Sequence, residues 1–442
     1  MSNKRCKVRD MRLLFIYPSC NLDVNPTLSA LLRRLSARGH HVDVVMEQPG
    51  DFSRPASPGP GVRFRFLPSG GVSLAGVSAQ QVPTRLARAL VQPSFRTCYR
   101  VWEDLAGVPQ VSAHRYDAII GVDPAGLAVA HRLNRFARRP LIYLSFEILF
   151  RAEVVGGLEA AIKSAEENAV REVVLTLIQD DERATALASE LRLPREQMAL
   201  VPVAPEPVVI DRTRILHRTL GIPEERRIVL YVGQVSAWTG RDELADLVET
   251  WPEQYCLVLH SSSRGSGRLA PALRRWVDQG RVFLSHRPVP QLDLPALVAS
   301  ADFGLAPYRA VADSWETGMN VHHLGLASGK VSYYALCGLP ILARPLPVFE
   351  REFARYDCGR LYRRPEQAGA LLEEMDQHYE HHRAEARRFY DERLDPRDAL
   401  EAFCGRLEEE VRRHRRGQAR SARAHSGAQP VPAESSPTVG VG

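Results

Sequence analysis

The sequence predicts an α/β protein made of two doubly wound, Rossmann-like parallel-sheet domains that face each other across a cleft. Two series of alternating apolar strands and amphipathic helices indicate this fold, and the proline-rich segment 202–212 separates them. A chain of 442 residues, of which 45% are hydrophobic, is long enough for two such domains at ~150 residues each.

The first series opens with a strand over residues 13–17. Asn25 and Pro26 are typical of a helix cap and first turn, and leucines at 28, 31, 32 and 35 mark one buried helical face. Gly39 ends that helix before a strand at 42–46, so the first unit is strand–helix–strand. Later strands are predicted at 62–67, 118–122, 141–144, 174–178 and 200–202, and helices at 84–106, 125–137, 158–172 and 181–191.

The second series begins after the linker. Its strands are predicted at 228–232, 256–260, 282–284, 303–306 and 341–343, and its helices at 241–250, 268–278, 293–299, 329–337, 365–389 and 397–415. We therefore expect an N-terminal domain over 11–205 and a C-terminal domain over 212–385. A helix near 390–410 is expected to pack back on the first domain, and residues 1–10 and 416–442 are expected to be disordered.

The charge distribution argues against a specific nucleic-acid-binding protein. The net charge is +6, but residues 1–12 contribute +4 and residues 411–442 contribute +5, which leaves about −3 for the body. The seven cysteines are scattered without a CxxC pair, so neither a disulfide framework nor a zinc site is expected. No apolar run reaches the ~20 residues of a membrane span, and no signal peptide is evident. These features predict a cytoplasmic protein.

The segment NVHHLGLASGKVSYYALCGLP at 320–340 contains the most informative motif. Ser328 is a good helix cap, Gly329 leaves its backbone amide accessible, and Lys330 falls in the first helical turn. Because a helix N-terminus already carries partial positive charge, a lysine there favours an anion such as a phosphate or diphosphate. The alternative is a solvated lysine on a surface helix. Only four of the 58 basic residues are lysines, which favours the anion site.

The run SGKVSYYALCGLPIL resembles the phosphate-binding helix of GT-B-fold, family-4-like glycosyltransferases. The strand and glycine turn at 228–233 resemble the start of the donor domain in that family, and the similarity extends over about residues 11–405. The resemblance implies a nucleotide-diphosphate sugar bound by the C-terminal domain and an acceptor presented by the N-terminal domain. It also implies retained anomeric configuration, no metal, and no cofactor beyond the sugar nucleotide as co-substrate. Lys330 would then stabilise the departing diphosphate.

The sequence departs from the family pattern at its donor site. Gln234 and Thr239 stand where the family usually has an arginine and a lysine that bind the diphosphate. A pair of family glutamates would fall at Gly325 and Tyr333, and Phe146 stands where a histidine is often found. These differences allow three interpretations: a donor bound differently, an unusual donor, or lost activity. A non-catalytic scaffold and a pseudo-glycosyltransferase with a non-sugar donor are therefore the alternatives.

Other residues could compensate for the missing cations. Arg241 follows the glycine turn and could reach a phosphate, while Trp238 could stack on a base or sugar. Arg264 and Arg268 lie in a Ser- and Gly-rich loop beyond a strand, where a flexible solvated loop is an equally good interpretation.

The acceptor side offers weaker signals. Glu147 follows the strand 141–144, where it could orient an acceptor hydroxyl or act as a base, or form a surface salt bridge. Asp123 follows another strand and is first of all a candidate helix cap, and otherwise an acceptor contact. His322 and His323 could touch the donor sugar or face solvent. The acceptor is left open as a small molecule, a polysaccharide or a lipid-linked sugar.

The basic helix at 84–106 could lie on the inner membrane face or be solvated.

Overall fold

The structure, a computed structural model, describes residues 10–19, 22, 25–47, 57–67, 113–261, 271–286, 288–312 and 314–426. Within these ranges the chain forms two all-parallel sheets, which confirms the predicted pair of Rossmann-like domains. The strands are near-continuous runs of buried apolar residues, as expected for parallel sheets covered by helices on both faces.

The N-terminal sheet has the order β3-β2-β1-β4-β5-β6-β7. Its strands are β1 (Arg12–Tyr17), β2 (His41–Glu47), β3 (Val62–Leu67), β4 (Ala118–Val122), β5 (Leu141–Leu144), β6 (Val173–Ile178) and β7 (Met198–Leu200). The helices of this half are α1 (Pro26–Ala37), α2 (Asp123–Ala137), α3 (Gly157–Ala169) and α4 (Asp181–Leu191). Helix α1 starts as predicted, because the side chain of Asn25 accepts the N–H of Leu28 at 2.9 Å.

The C-terminal sheet has the order β10-β9-β8-β11-β12-β13. Its strands are β8 (Arg227–Val232), β9 (Tyr255–His260), β10 (Val282–Ser285), β11 (Phe303–Ala306), β12 (Ile341–Ala343) and β13 (Gly359–Leu361). The helices are α5 (Ile215–Leu220), α6 (Leu244–Glu249), α7 (Pro271–Asp278), α8 (Leu294–Val298), α9 (Met319–His322), α10 (Gly329–Leu336), α11 (Pro347–Tyr356), α12 (Ala368–Gln377), α13 (Tyr379–Phe389) and α14 (Arg397–Ser426). A π-helical turn, Tyr390–Leu394, joins the last two.

The last helix returns to the N-terminal domain. Leu400, Phe403 and Leu407 are fully buried in the same apolar cluster as β1 and β6, and Arg406 donates to the carbonyl of Met198 at 2.6 Å. We expected disorder after about residue 416, and this is wrong for residues 417–426, which continue α14. Their Arg, Ala and Gln side chains are good helix formers, which explains the extension. The predicted helix at 84–106 lies outside the described residues.

Both sheets reverse their strand order next to the first strand of the domain, at β1/β4 and at β8/β11. Open α/β sheets bind ligands at the carboxyl ends of the strands beside such a reversal. The candidate residues Asp123 and Gly233 directly follow β4 and β8, so the topology places them at these points. Every helix among the described residues falls short of the length and apolarity that crossing a bilayer requires.

Candidate functional site

The N-terminus of α10 has the features of an anion-binding helix end. The hydroxyl of Ser328 caps the helix by accepting the N–H of Val331 at 3.2 Å, and it lies 2.8 Å from the Tyr308 hydroxyl. Within the described part of the chain, the backbone N–H groups of Gly329 and Lys330 donate to no protein acceptor. These two amides and the helix dipole are therefore available to a ligand.

The Lys330 ammonium is buried without a hydrogen-bonding partner among the described residues. Its Nζ atom lies 3.7 Å from the ring centroid of Tyr231 and 4.9 Å from that of Tyr308. Burial lowers the pKa of Lys330 to about 7, since two aromatic faces stabilise a cation much less than water or a carboxylate does. An anion bound at the helix end would supply the missing countercharge.

The only other lysine that the structure describes, Lys163, provides a contrast. Its Nζ atom is also buried, but it donates to the carbonyl of Leu149 at 2.6 Å and pairs with Glu166 at 3.1 Å and Glu190 at 2.9 Å. Lys163 is thus a satisfied structural lysine, whereas Lys330 is a buried cation that lacks its anion.

The glycine turn after β8 faces Lys330. Gly233 has a φ of +113°, which favours glycine, and a Cβ atom built there would lie 3.9 Å from the Cε atom of Lys330. The carbonyl of the next residue, Gln234, accepts the Tyr231 hydroxyl at 2.6 Å and the Thr239 hydroxyl at 3.0 Å. Thr239 is buried and shapes this loop from inside, while the Gln234 side chain is exposed beside the turn.

The compensating residues proposed from the sequence lie around this loop. Trp238 is half-buried and stacks on Tyr308, with ring centroids 5.6 Å apart. Arg241 is exposed and its Nε pairs with Asp242 at 3.1 Å. Arg264 and Arg268 lie outside the described residues.

At the two positions of the missing glutamate pair the structure has a glycine and a buried tyrosine. Gly325 has a φ of +52°, and a Cβ atom there would lie 2.2 Å from a carboxylate oxygen of Asp180. The Tyr333 side chain is buried in the C-terminal core. The chain therefore cannot position a donor-binding carboxylate at 325 without moving Asp180.

Asp123 and Glu147 come together at the carboxyl ends of β4 and β5. The expectation that Asp123 caps a helix is wrong, because α2 begins at Asp123 itself and Val122 is the cap residue. Asp123 has a φ of +58°, and its Oδ1 atom accepts the N–H groups of Phe146 at 2.8 Å and Glu147 at 2.9 Å. This unusual backbone conformation turns the carboxylate toward Glu147.

The two carboxyl groups hold protons more tightly than usual. Burial raises the pKa of Asp123 to about 7 despite the two backbone hydrogen bonds. Burial also raises the pKa of Glu147 to about 8, partly opposed by the charge of Arg183 and reinforced by those of Asp123 and Glu316. Arg183 is 1% exposed and lies between the carboxylates and the domain interface. A pair of carboxyl groups that titrates near neutral pH suits proton exchange with a bound hydroxyl.

The segment before α10 is docked on the N-terminal domain by polar contacts. Asn320 accepts the N–H of Ile148 at 2.8 Å and donates to its carbonyl at 2.6 Å. The Arg183 guanidinium donates to the carbonyls of Phe146 at 2.7 Å and His323 at 2.9 Å. These buried hydrogen bonds hold the C-terminal domain next to Glu147.

Of the two histidines, His323 takes part in this docking and His322 does not. The His323 ring lies 5.6 Å from that of Phe150, its Nδ1 atom is 3.5 Å from a Glu182 oxygen, and burial lowers its pKa. His322 is exposed, with its ring 4.9 Å from that of His323.

Tyr308 connects the two halves of the site. Its hydroxyl bonds to Ser328 at the start of α10, and its ring lies near Lys330. Burial raises the pKa of Tyr308 to about 12, and the negative charge of Glu147 acts in the same direction. Tyr308 thus contacts the helix end directly, whereas Glu147 acts on it through its charge.

One group of potential metal ligands lies apart from these residues. Asp357 follows α11, and His381 and His382 are on α13, with their candidate ligand atoms within 4.8 Å of one another. Arg360 already bonds to the Asp357 carboxylate at 2.5 Å, and His382 Nδ1 lies 2.6 Å from the Asp357 carbonyl. Protein groups thus occupy most of the coordinating atoms.

Sequence reasoning missed the residues that hold the domains together. Arg183 and Asn320 gave no signal, because their role depends on contacts between segments more than 130 positions apart. Tyr231 and Tyr308 could have been noted, since each lies at or just after the end of a C-terminal-domain strand.

Solved structures share this architecture over nearly the whole chain. HepE from Anabaena, in complex with UDP-glucose, is 16% identical, with a TM-score of 0.65 over 90% of this chain and 100% of that one. Sucrose-phosphate synthase from Thermosynechococcus elongatus is 14% identical, with a TM-score of 0.58 over 93% and 100%. WaaG, a glycosyltransferase involved in lipopolysaccharide biosynthesis, is 16% identical, with a TM-score of 0.56 over 88% and 98%. These likenesses confirm the GT-B fold. No family model matches the sequence, and no curated protein matches it in a sequence search.

Proposed function

We propose that the protein is a glycosyltransferase that moves a sugar from a nucleotide-diphosphate donor to an acceptor hydroxyl. The fold alone does not establish this, because one fold hosts many functions. The observation that carries the proposal is the buried, unpartnered ammonium of Lys330 beside two open amides at the start of α10. Burying an ammonium group without a countercharge lowers the stability of the folded state unless a bound anion pairs with it.

The donor side would operate through charge and position. The diphosphate would lie at the N-terminus of α10, where Gly329, Lys330 and the capped Ser328 stabilise the negative charge that develops on departure. Gly233 leaves room for the diphosphate beside the lysine. Gln234 and Arg241 are exposed along the same loop and would provide further contacts. That HepE was solved with UDP-glucose supports a sugar nucleotide as the ligand class.

The acceptor side would be provided by Glu147 and Asp123. The bond between the sugar and the diphosphate breaks, the acceptor oxygen bonds to the same carbon, and the acceptor proton passes to Glu147. Asp123 positions Glu147 through the N–H groups of residues 146 and 147. His322, exposed on α9, would contact the sugar, whereas His323 mainly positions α9.

Three finer features belong to the proposal. Transfer would retain the anomeric configuration, as in the family that the phosphate-binding helix resembles. Lys330 and the helix amides would take the place of a metal ion, so no metal and no cofactor would be needed. The reaction would take place in the cytoplasm, on a small-molecule, polysaccharide or lipid-linked acceptor.

A thermal-shift series with UDP, GDP, TDP and ADP tests the donor site. We expect one nucleotide to raise the melting temperature of the wild-type protein and to have little effect on Lys330→Ala. Incubation with the matching labelled nucleotide sugar then tests turnover, as free nucleoside diphosphate and a labelled product. Flat melting curves with all four nucleotides would contradict the proposal.

A second candidate, a non-catalytic GT-B scaffold, is favoured by one observation. Four charged side chains typical of the resembled family are replaced by uncharged residues, at positions 234, 239, 325 and 333. Nucleotide binding without turnover of any sugar donor would favour this scaffold. Turnover only of a donor whose activated group is not a sugar would indicate a pseudo-glycosyltransferase.

A further inference from the structure

The N-terminal domain carries a basic surface on the side opposite the cleft, at the amino ends of β1, β4 and β5. Arg12 begins β1, Arg115 precedes β4, and residues 135–139 lead into β5. Since these three strands are neighbours and parallel, their amino ends meet at one edge of the sheet. We call this surface the basic edge; it comprises Arg12, Arg115, Arg135, Arg138, Arg139 and Arg415.

The C-terminal helix contributes to the same edge. Arg415 pairs with Asp117 at 2.7 Å, and the Arg139 guanidinium donates to Gln418 at 3.3 Å. Asp117 also accepts the backbone N–H of Arg12 at 2.9 Å, so this carboxylate is already occupied. The C-terminal helix α14 thus adjoins the amino end of β1.

An apolar side chain stands among these cations. Phe136 is 79% exposed at the end of α2, and the Arg135 guanidinium lies 5.9 Å from its ring centroid. Arg138, with a left-handed φ of +48°, ends the helix beside it and is exposed. A protruding aromatic ring surrounded by arginines suits the boundary between lipid headgroups and acyl chains.

We propose that the basic edge docks the protein on an anionic lipid bilayer. The bilayer is favoured over nucleic acid because the cations lie on the outer end of a sheet with a single exposed ring, and no described element projects to enter a nucleic-acid groove. The three strands have four to six residues and are about 13–20 Å long. A protein seated on this edge therefore keeps the carboxyl ends of the strands away from the lipid surface and open to ligands. The docking does not depend on the transferase proposal.

Flotation with vesicles tests the docking with the full-length chain. We expect the protein to float with vesicles of phosphatidylcholine and phosphatidylglycerol at low salt, and to stay behind with phosphatidylcholine alone or at high salt. The variant Arg135→Gln/Arg138→Gln should lower the partition coefficient roughly thirty-fold. This factor follows because each arginine near an anionic surface contributes about 1 kcal/mol of binding free energy, and about 1.4 kcal/mol corresponds to a tenfold change. Phe136→Ser should weaken binding to the same vesicles at low salt.

A matched control separates the basic edge from general charge. Arg274→Gln/Arg275→Gln removes two exposed arginines from α7 of the C-terminal domain, and Leu292→Ser removes an exposed apolar side chain there. The sequence ends are unchanged in all variants. Equal losses in edge and control variants, no flotation of the wild type, or edge-dependent binding to an RNA oligonucleotide instead of vesicles would each overturn the proposal. A melting temperature within the wild-type range confirms that each variant is folded.

Discussion

Replacing Lys330 by Met should stabilise the unliganded protein while it weakens nucleotide binding. Burial moves the pKa of Lys330 from 10.5 to about 7, which corresponds to an upper limit of roughly 5 kcal/mol at ~1.4 kcal/mol per unit. Local relaxation reduces this cost, so we expect a gain of about 1–3 kcal/mol in the free energy of unfolding. Methionine preserves the apolar stem between Tyr231 and Tyr308 without its charge.

The gain should depend on pH in a defined direction. Because the folded-state pKa of Lys330 lies below its unfolded value, the unfolded chain binds more protons between about pH 7 and 10.5. The destabilisation by Lys330 is therefore complete below about pH 7 and fades as the pH rises toward 10.5. The increase in the free energy of unfolding caused by Lys330→Met should be largest at pH 6 and smallest at pH 10. Urea unfolding followed by circular dichroism measures it.

Lys163→Met is the matched control. That lysine is buried but paired with Glu166 and Glu190, so its loss removes the countercharge of the buried Glu166 carboxylate and should cost about 3–5 kcal/mol. Nucleotide-induced stabilisation should persist in Lys163→Met if the variant folds, and disappear in Lys330→Met. If Lys330→Met instead destabilised the protein at pH 6, the ammonium would have a partner in solution, and the case for a waiting anion site would be lost.

Three further variants test other parts of the site. Glu147→Gln should have the wild-type free energy of unfolding below pH 4 and should become increasingly more stable than the wild type as the pH rises from about 4.5 to about 8. The reason is that the raised carboxyl pKa destabilises the folded state only where the unfolded chain is ionised. The same variant should slow transfer by about 100-fold or more, and full activity would exclude Glu147 as the base. Asn320→Ala leaves both backbone groups of buried Ile148 unpaired and should cost about 2–4 kcal/mol in urea unfolding, whereas an unchanged midpoint would show that the domains are not held there. Gln234→Arg adds an exposed cation beside Gly233 and should tighten nucleoside-diphosphate binding about tenfold at low salt, as measured by calorimetry. An unchanged affinity would show that the diphosphate binds elsewhere.

Most of the fold could be read from the sequence because its signals are local. Apolar strands such as 118–122 and the Asn25–Pro26 helix start depend on neighbouring residues, and the structure reproduces them. Short elements such as α9 and β13 went unpredicted, since four- and three-residue segments carry too little periodicity. The end of α14 was misplaced because its charged composition resembles disorder as well as a solvated helix.

The candidate site could be predicted only in part. The SGK motif located the helix end and Lys330, because capping and the helix dipole are local properties. The environment of that lysine could not be foreseen, since Tyr231 on β8 and Tyr308 in the loop after β11 approach it from different segments. The sequence predicts a cap at Asp123 because a carboxylate after a strand usually is one. Its left-handed backbone and its hydrogen bonds to residues 146 and 147, more than 20 positions away, have no local signal.

A crystal structure of the protein with its tightest-binding nucleoside diphosphate tests the donor site most directly. We predict that the outer phosphate lies within hydrogen-bonding distance of the amides of Gly329 and Lys330, with the lysine ammonium moved from the Tyr231 ring onto a phosphate oxygen. Density for the diphosphate away from α10, with Lys330 still against Tyr231, would contradict the assignment of this helix end as the donor site.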